Sequence, residues 1–243
     1  MIVVKFGGSA LDKSAWGTVL EDLIRLQPAV LVHGGGPEIT RMLNLLGHQP
    51  RFEKGLRMTD GPTMEVVEMM LAGRVNKSLV ARLTGLGARA VGVSGVDGGL
   101  IEAVSMADRT GTITAVDPRL LETLIAGGFL PVVAPMGLGR DGLTYNLNGD
   151  TAAAALAVAL KAERLVFLTD VPHLLDENRQ PLLKIDRARA EELLQNGTVA
   201  GGMIPKLDSA LSALAGGVGE AQILGAELPG ALLSPQAGTV VTR

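Results

Sequence analysis

Ile2-Val3-Val4-Lys5-Phe6-Gly7-Gly8 and Ala29-Val30-Leu31-Val32-His33-Gly34-Gly35-Gly36-Pro37 are built alike. In each, an apolar run of strand length ends on glycines, and helix-like sequence follows. Apolar strands alternating with helices predict a parallel sheet covered on both faces. Glycine at a strand-to-helix turn removes the Cβ that would hold a ligand away from the backbone. The helix start behind it offers unpaired N–H groups and a positive dipole end. Two such turns on one sheet edge predict an anion site, and Lys5 at the first points to phosphate chemistry. The glycines at 34–36 exceed what a turn needs, and close approach of the backbone to a ligand explains the excess.

The alternation runs on. Helices are expected around 16–26, 38–46 (stopping at Gly47), 62–73, 78–86, 118–126, 151–160, 188–195 and 207–215. Strands are expected at 2–6, 29–33, 90–93, 130–134, 165–169, 221–224 and 239–242. Three polar or glycine-bounded stretches, 51–59, 99–114 and 137–145, read as β-hairpins forming a lid or substrate wall. No repeat or low-complexity linker divides the chain, which predicts a single domain over 1–243.

At 243 residues the chain can bury a sizeable core, and with 47% apolar but only 2% aromatic residues that core must be aliphatic. A formal charge of −3 argues against nucleic acid or an acidic membrane surface, which attract basic patches. The absence of cysteine excludes disulfide and thiol chemistry and makes a cytoplasmic setting the default. The apolar stretch 152–160 is too short to span a bilayer. Met1 runs straight into a strand, so no signal peptide is expected.

Ligands of open α/β sheets sit at the carboxyl ends of the strands. Lys5 ends such a strand; beside the plain reading of a snorkelling lysine stands a phosphate-binding one. Arg57, in Gly55-Leu56-Arg57-Met58-Thr59-Asp60, offers a fork that matches a carboxylate, with Thr59 or Asp60 capping the next helix. In Asn146-Leu147-Asn148-Gly149-Asp150, an extended backbone would put 146, 148 and 150 on one side. Asp150 also reads as the N-cap of the alanine-rich helix and as a holder of ammonium groups. Lys206, at the glycine-rich helix start Gly201-Gly202-Met203-Ile204-Pro205-Lys206, stands against the helix dipole, which a shared anionic ligand explains. His33, His48 and His173 are scattered, no cluster has metal-ligand spacing, and neither a Walker A motif nor a dinucleotide fingerprint occurs.

Together with Thr169-Asp170-Val171-Pro172, these motifs resemble, in order and over the whole chain, the acetylglutamate kinase branch of the amino acid kinase family. The resemblance implies a three-layer αβα sandwich around a mostly parallel open sheet. It implies an N-lobe, about 1–145, for acylamino-acid binding and dimerisation, and a C-lobe, about 146–243, for ATP. The reaction would be ATP-dependent phosphorylation of the side-chain carboxylate of N-acetyl-L-glutamate, with Mg²⁺ carried by the nucleotide. Lys5 and Lys206 would stabilise the transferring phosphoryl group and Asp150 would organise them. Gly35, Gly36, Arg57, Asn146 and Asn148 would bind the acceptor. Gly7, Gly8, Thr169, Asp170 and Lys206 would bind the nucleotide. Where relatives commonly carry glycine, this chain has Lys161 and His173. Without an added N-terminal helix, a homodimer insensitive to arginine is expected. A kinase for an α-aminoadipate derivative and a non-catalytic amino-acid sensor remain the rival readings; a dehydrogenase fails on glycine spacing.

Overall fold

The computed structural model describes residues 1–7, 16–53, 55–226 and 230–243. From the N-terminus come β1 (Ile2–Phe6), α1 (Trp16–Arg25), β2 (Ala29–His33), α2 (Gly36–Leu45), the pair β3 (Arg51–Glu53) and β4 (Leu56–Met58), and α3 (Gly61–Glu68). A π-helical segment, Met69–Val75, joins α3 to α4 (Asn76–Gly85) without a break in the rod. Then follow β5 (Ala90–Ser94), β6 (Ile101–Ala107), β7 (Thr110–Val116), α5 (Arg119–Ala126), β8 (Leu130–Ala134), β9 (Met136–Leu138) and β10 (Thr144–Asn146). The remainder holds α6 (Gly149–Ala159), β11 (Arg164–Thr169), β12 (Leu174–Leu175), β13 (Pro181–Leu182), β14 (Lys184–Ile185), α7 (Arg187–Gln195), α8 (Met203–Ala215), β15 (Glu220–Gly225) and β16 (Thr239–Val241).

Eight strands form the central sheet in the order β14-β16-β15-β11-β1-β2-β8-β5. Every neighbouring pair is parallel except β15 with β16. Successive side chains of a strand point to opposite faces, and both faces are apolar. Val3, Val30, Val32, Leu165 and Phe167 pack with Leu156 of α6 and Leu207 and Ala210 of α8. Ile2, Val4, Phe6, Leu31 and Val166 pack with Leu20 and Leu23 of α1 and Leu79 and Leu83 of α4. These are the three layers that the uninterrupted apolar strands predicted. A third cluster joins Ile39 and Leu43 of α2 to Met64, Val67, Met70 and Leu71 beneath Met136.

The expected hairpins form, with a correction to their arrangement. The pair β3–β4 stands by itself, whereas β6, β7, β9 and β10 close into a small barrel, with β6–β7 and β9–β10 antiparallel. Short strands gain more by pairing with each other than by exposing edges, so two hairpins read as separate are one unit. The pair β12–β13 and the strand β14 were not expected; two-residue strands carry too little periodicity to stand out in a sequence.

Candidate active site

The strand order reverses at β1, flanked by β2 and β11, and this switch point gathers most of the sequence-predicted residues. Lys5 shares the face of Val3, the face covered by α6. Lys5 is 7% exposed, and its ammonium lies 2.8 Å from Oδ1 of Asp150 in the first turn of α6. Lys206, in the first turn of α8, donates to Oδ2 of the same carboxylate at 3.2 Å and to the Gly202 carbonyl at 3.3 Å. Two cations and one buried anion thus leave a net positive charge at the strand ends. Burial pushes the Lys5 ammonium below its ordinary value; Asp150 opposes the shift and Lys206 adds to it.

Asp150 does not cap α6, contrary to the sequence reading. Asn148, in extended conformation, is the N-cap, and its Oδ1 accepts from the N–H groups of Asp150 and Thr151 at 2.8 and 3.1 Å. The helix begins at Gly149, two residues earlier than expected, so Asp150 is inside it, and the alternation proposed for 146, 148 and 150 breaks after Asn148. With the cap supplied by Asn148, the Asp150 carboxylate serves both lysines. Asp60 caps α3, accepting from the Thr63 N–H at 3.0 Å.

Beside the lysines lies a pocket of about 180 Å³. Gly35, Gly36, Arg57, Asn146 and Asn148, the five residues expected to bind the acceptor, all line it. The N-termini of α2 and α6 open onto it, which favours an anionic ligand. Arg57 is buried; Nη2 donates to the Gly36 carbonyl at 2.9 Å and to Oγ1 of Thr40 at 2.8 Å, and the Phe52 ring lies 4.7 Å from the guanidinium carbon. Nη1 is buried and has no hydrogen-bond partner among the described residues. A buried cationic donor left open costs stability, so its natural complement is a carboxylate entering the pocket. Desolvation lowers the Arg57 pKa from its ordinary value.

The pocket wall is tied to the barrel through Thr59, which the sequence offered only as a possible helix cap, and Thr110, which the sequence reading passed over. Oγ1 of Thr110 accepts from the Thr59 N–H at 2.9 Å and donates to the Arg57 carbonyl at 3.0 Å. Nδ2 of Asn146 donates to Oγ1 of Thr59 at 3.0 Å. Nothing in the local sequence marks these contacts, because the partners come from distant segments.

Of the expected nucleotide residues, Gly7, Thr169 and Asp170 do not line that pocket. Phe6 pairs with Leu168 in register, so Gly7, just past β1, follows beside Thr169, the last residue of β11. Oγ1 of Thr169 donates to the exposed Asp170 carboxylate at 3.1 Å. Gly8 lies outside the described residues. Lys161 has a φ of +50°, a backbone conformation that suits glycine better.

Residues 1–225 match the amino acid kinase family. An acetylglutamate kinase of Methanopyrus kandleri is 46% identical over 241 residues, covering 93% of this chain and 96% of that protein. An acetylglutamate kinase of Pelotomaculum thermopropionicum is 43% identical over 255 residues, covering 96% of this chain and 86% of that one. Among solved structures, the N-acetylglutamate synthase of Neisseria gonorrhoeae, complexed with coenzyme A and N-acetyl-glutamate, superposes with a TM-score of 0.88 at 26% identity. That match spans 100% of this chain and 59% of the synthase. With the parallel sheet, the switch-point lysines and a family match over nearly its whole length, this chain belongs to the amino acid kinase family.

Proposed function

We propose that this protein transfers the γ-phosphoryl group of ATP to the side-chain carboxylate of N-acetyl-L-glutamate, giving an acyl phosphate and ADP. The observation that carries the reading is the convergence of Lys5 and Lys206 on Asp150 beside a pocket holding an open Arg57 donor. An acceptor carboxylate oxygen attacks the γ-phosphorus, a new O–P bond forms, and the bond to the β-phosphate oxygen breaks. The nucleophile is already ionised at neutral pH, so no general base is required. The difficulty is electrostatic: unit charges of like sign about 4 Å apart repel by roughly 4 kcal/mol at an effective dielectric of 20. Lys5, Lys206 and the glycine N–H groups offset that repulsion most where charge spreads over the equatorial oxygens.

In this reading the N-lobe, about 1–145, binds the acceptor, whose second carboxylate meets Nη1 of Arg57; the C-lobe binds ATP near Gly7, Thr169 and Asp170. Both oxygens of Asp150 are engaged by lysines, so Mg²⁺ arrives with the nucleotide. The protein works in the cytoplasm as a homodimer formed through the N-lobe. Light scattering tests that assembly. Among the described residues no helix is long and apolar enough to cross a membrane.

Trapping the product with hydroxylamine tests the reaction. Hydroxamate should form with N-acetyl-L-glutamate and ATP, and far more slowly with N-acetyl-α-aminoadipate or free glutamate. Preference for the longer acid would transfer the protein to the rival acceptor class. ATP-independent ligand binding without product would make it a sensor.

A further inference from the structure

His33 ends β2 immediately before the glycine loop and is 1% exposed. Its Nδ1 lies 2.8 Å from the Gly34 carbonyl and its Nε2 lies 3.2 Å from Nδ2 of Asn76. Asn76 is also buried, at the junction where the π-helical segment passes into α4.

The direction of every bond in this chain is forced. Nδ2 of Asn76 faces the carbonyls of Val132 at 2.8 Å and Val93 at 3.3 Å, and carbonyl oxygens only accept. Oδ1 of Asn76 receives the Lys77 ammonium at 3.1 Å, and an ammonium only donates. The Asn76 amide therefore has one possible orientation, with its NH₂ toward His33, two hydrogens shared among three acceptors and a nitrogen that cannot itself accept. Nε2 of His33 must then be the bare, accepting nitrogen, which puts the ring proton on Nδ1, facing the Gly34 carbonyl. Burial pushes the imidazole down to about 4, so this neutral tautomer holds through the physiological range.

In a planar trans peptide the carbonyl and the following N–H point opposite ways. A Gly34 carbonyl held toward the His33 ring turns the Gly35 N–H away from it, and Gly34, Gly35 and Gly36 line the acceptor pocket. The loop is also held from the other side: a Cβ on Gly35 would come within 2.6 Å of Cδ2 of Leu71 in the π-helical segment.

We propose that His33 and Asn76 are positioning residues that set the direction of the Gly34–Gly35 peptide and so aim the Gly35 N–H at the reacting anions. The inference rests on the phosphoryl-transfer reading above. It assigns work to a histidine that has no metal or proton-transfer part.

Imidazole ¹⁵N NMR on histidine-labelled protein reads the tautomer without any substrate, and with only three histidines the His33→Asn spectrum identifies the signal. The expected result at neutral pH is a protonated Nδ1 and a bare Nε2. Steady-state assays supply the second readout. His33→Asn keeps an N–H close to the position of Nδ1 and should retain kcat within a few-fold. His33→Leu and Asn76→Leu should lower kcat by about 10- to 100-fold, with a much smaller change in KM. If His33→Leu does not fold, Asn76→Leu carries the kinetic arm. A role in stability alone would lower the melting temperatures without separating the two His33 variants in kcat. An Nε2–H tautomer in the unmodified protein, or equal kcat for His33→Asn and His33→Leu, overturns the proposal. An unmodified protein inactive on N-acetyl-L-glutamate overturns the assigned reaction instead, and the tautomer seen by NMR then decides whether the His33–Asn76 relay stands.

Discussion

Lys5 and Lys206 hold opposite oxygens of a single buried carboxylate, at 2.8 and 3.2 Å. One comes from the first strand and the other from the last long helix. Two like charges stay close because Asp150 lies between them, and a phosphoryl group reaching the strand ends meets both. Replacing Lys206 by alanine removes one of the two while leaving the deeper ion pair intact. The expected outcome is a fall in kcat of roughly 10²- to 10³-fold with a nearly unchanged melting temperature. Undiminished turnover would remove Lys206 from the mechanism.

Asp150→Asn tests the carboxylate itself. Lys5 is already depressed below its ordinary pKa by burial, and Asp150 is the strongest influence opposing that shift. Without the anion, the folded-state pKa of Lys5 falls further and the ammonium is lost at lower pH. The alkaline limb of the kcat/KM profile should therefore move toward neutrality in the variant. A limb that stays in place, with activity lost uniformly at all pH values, would show that Asp150 does not sustain the Lys5 charge.

Much of this centre was legible in the sequence because its chemistry is carried by local motifs. Lys5 before Gly7, the glycines at 34–36, and Asp150 at a helix start each announce a strand-to-helix turn, and such turns gather at one sheet edge. What could not be read was which neighbour performs which local task. Asn148 and Asp150 are both good caps, and only the helix start at Gly149 decides between them. The barrel, the Thr59–Thr110 tie and the His33–Asn76 bond all join residues far apart in the chain. No periodicity records those. Asn76 left no trace, because with Arg74, Lys77 and Ser78 beside it the segment reads as an ordinary solvent-facing helix turn.

Arg57→Lys addresses the acceptor pocket. The guanidinium spends Nη2 on Gly36 and Thr40 and keeps Nη1 open, a division that one ammonium cannot reproduce. Hydrogen bonds to charged groups contribute about 1.5–3 kcal/mol. KM for the acylamino acid should accordingly rise about 10- to 150-fold, with kcat changed only a few-fold. A variant whose loss falls on kcat alone would place Arg57 at the transferring phosphate instead.

The acid stability of the fold follows from His33. Its folded-state value is about 4, against an ordinary 6.5, through burial and the nearby charges of Lys5 and Lys77, opposed by its bond to Gly34. Above 6.5 neither state binds the proton and the stabilisation is complete. As the pH falls from there toward 4, the unfolded chain takes up a proton that the folded one refuses, and stability declines. The loss is on the order of 3 kcal/mol. Urea midpoints measured across that window should fall in the unmodified protein and fall less in His33→Asn. Parallel curves would mean that the folded ring takes up its proton as readily as the unfolded one.

Gly92→Ala probes the same relay from the sheet edge. A Cβ at Gly92 would sit 1.8 Å from Oδ1 of Asn76 and 2.7 Å from Nζ of Lys77. Lys77 ends a flexible side chain and can move aside; Asn76 is buried and held by two carbonyls. The substitution should cost about 1–3 kcal/mol of stability and lower kcat by displacing the Asn76 amide. Because the clash is with that one side chain, Gly92→Ala combined with Asn76→Ala should be less damaging than the two single changes added. The expected coupling is about 0.5–3 kcal/mol in urea unfolding, with no further loss of kcat beyond Asn76→Ala alone. Strict additivity in both measurements would show that Gly92 acts through the strand and not through the asparagine that fixes His33.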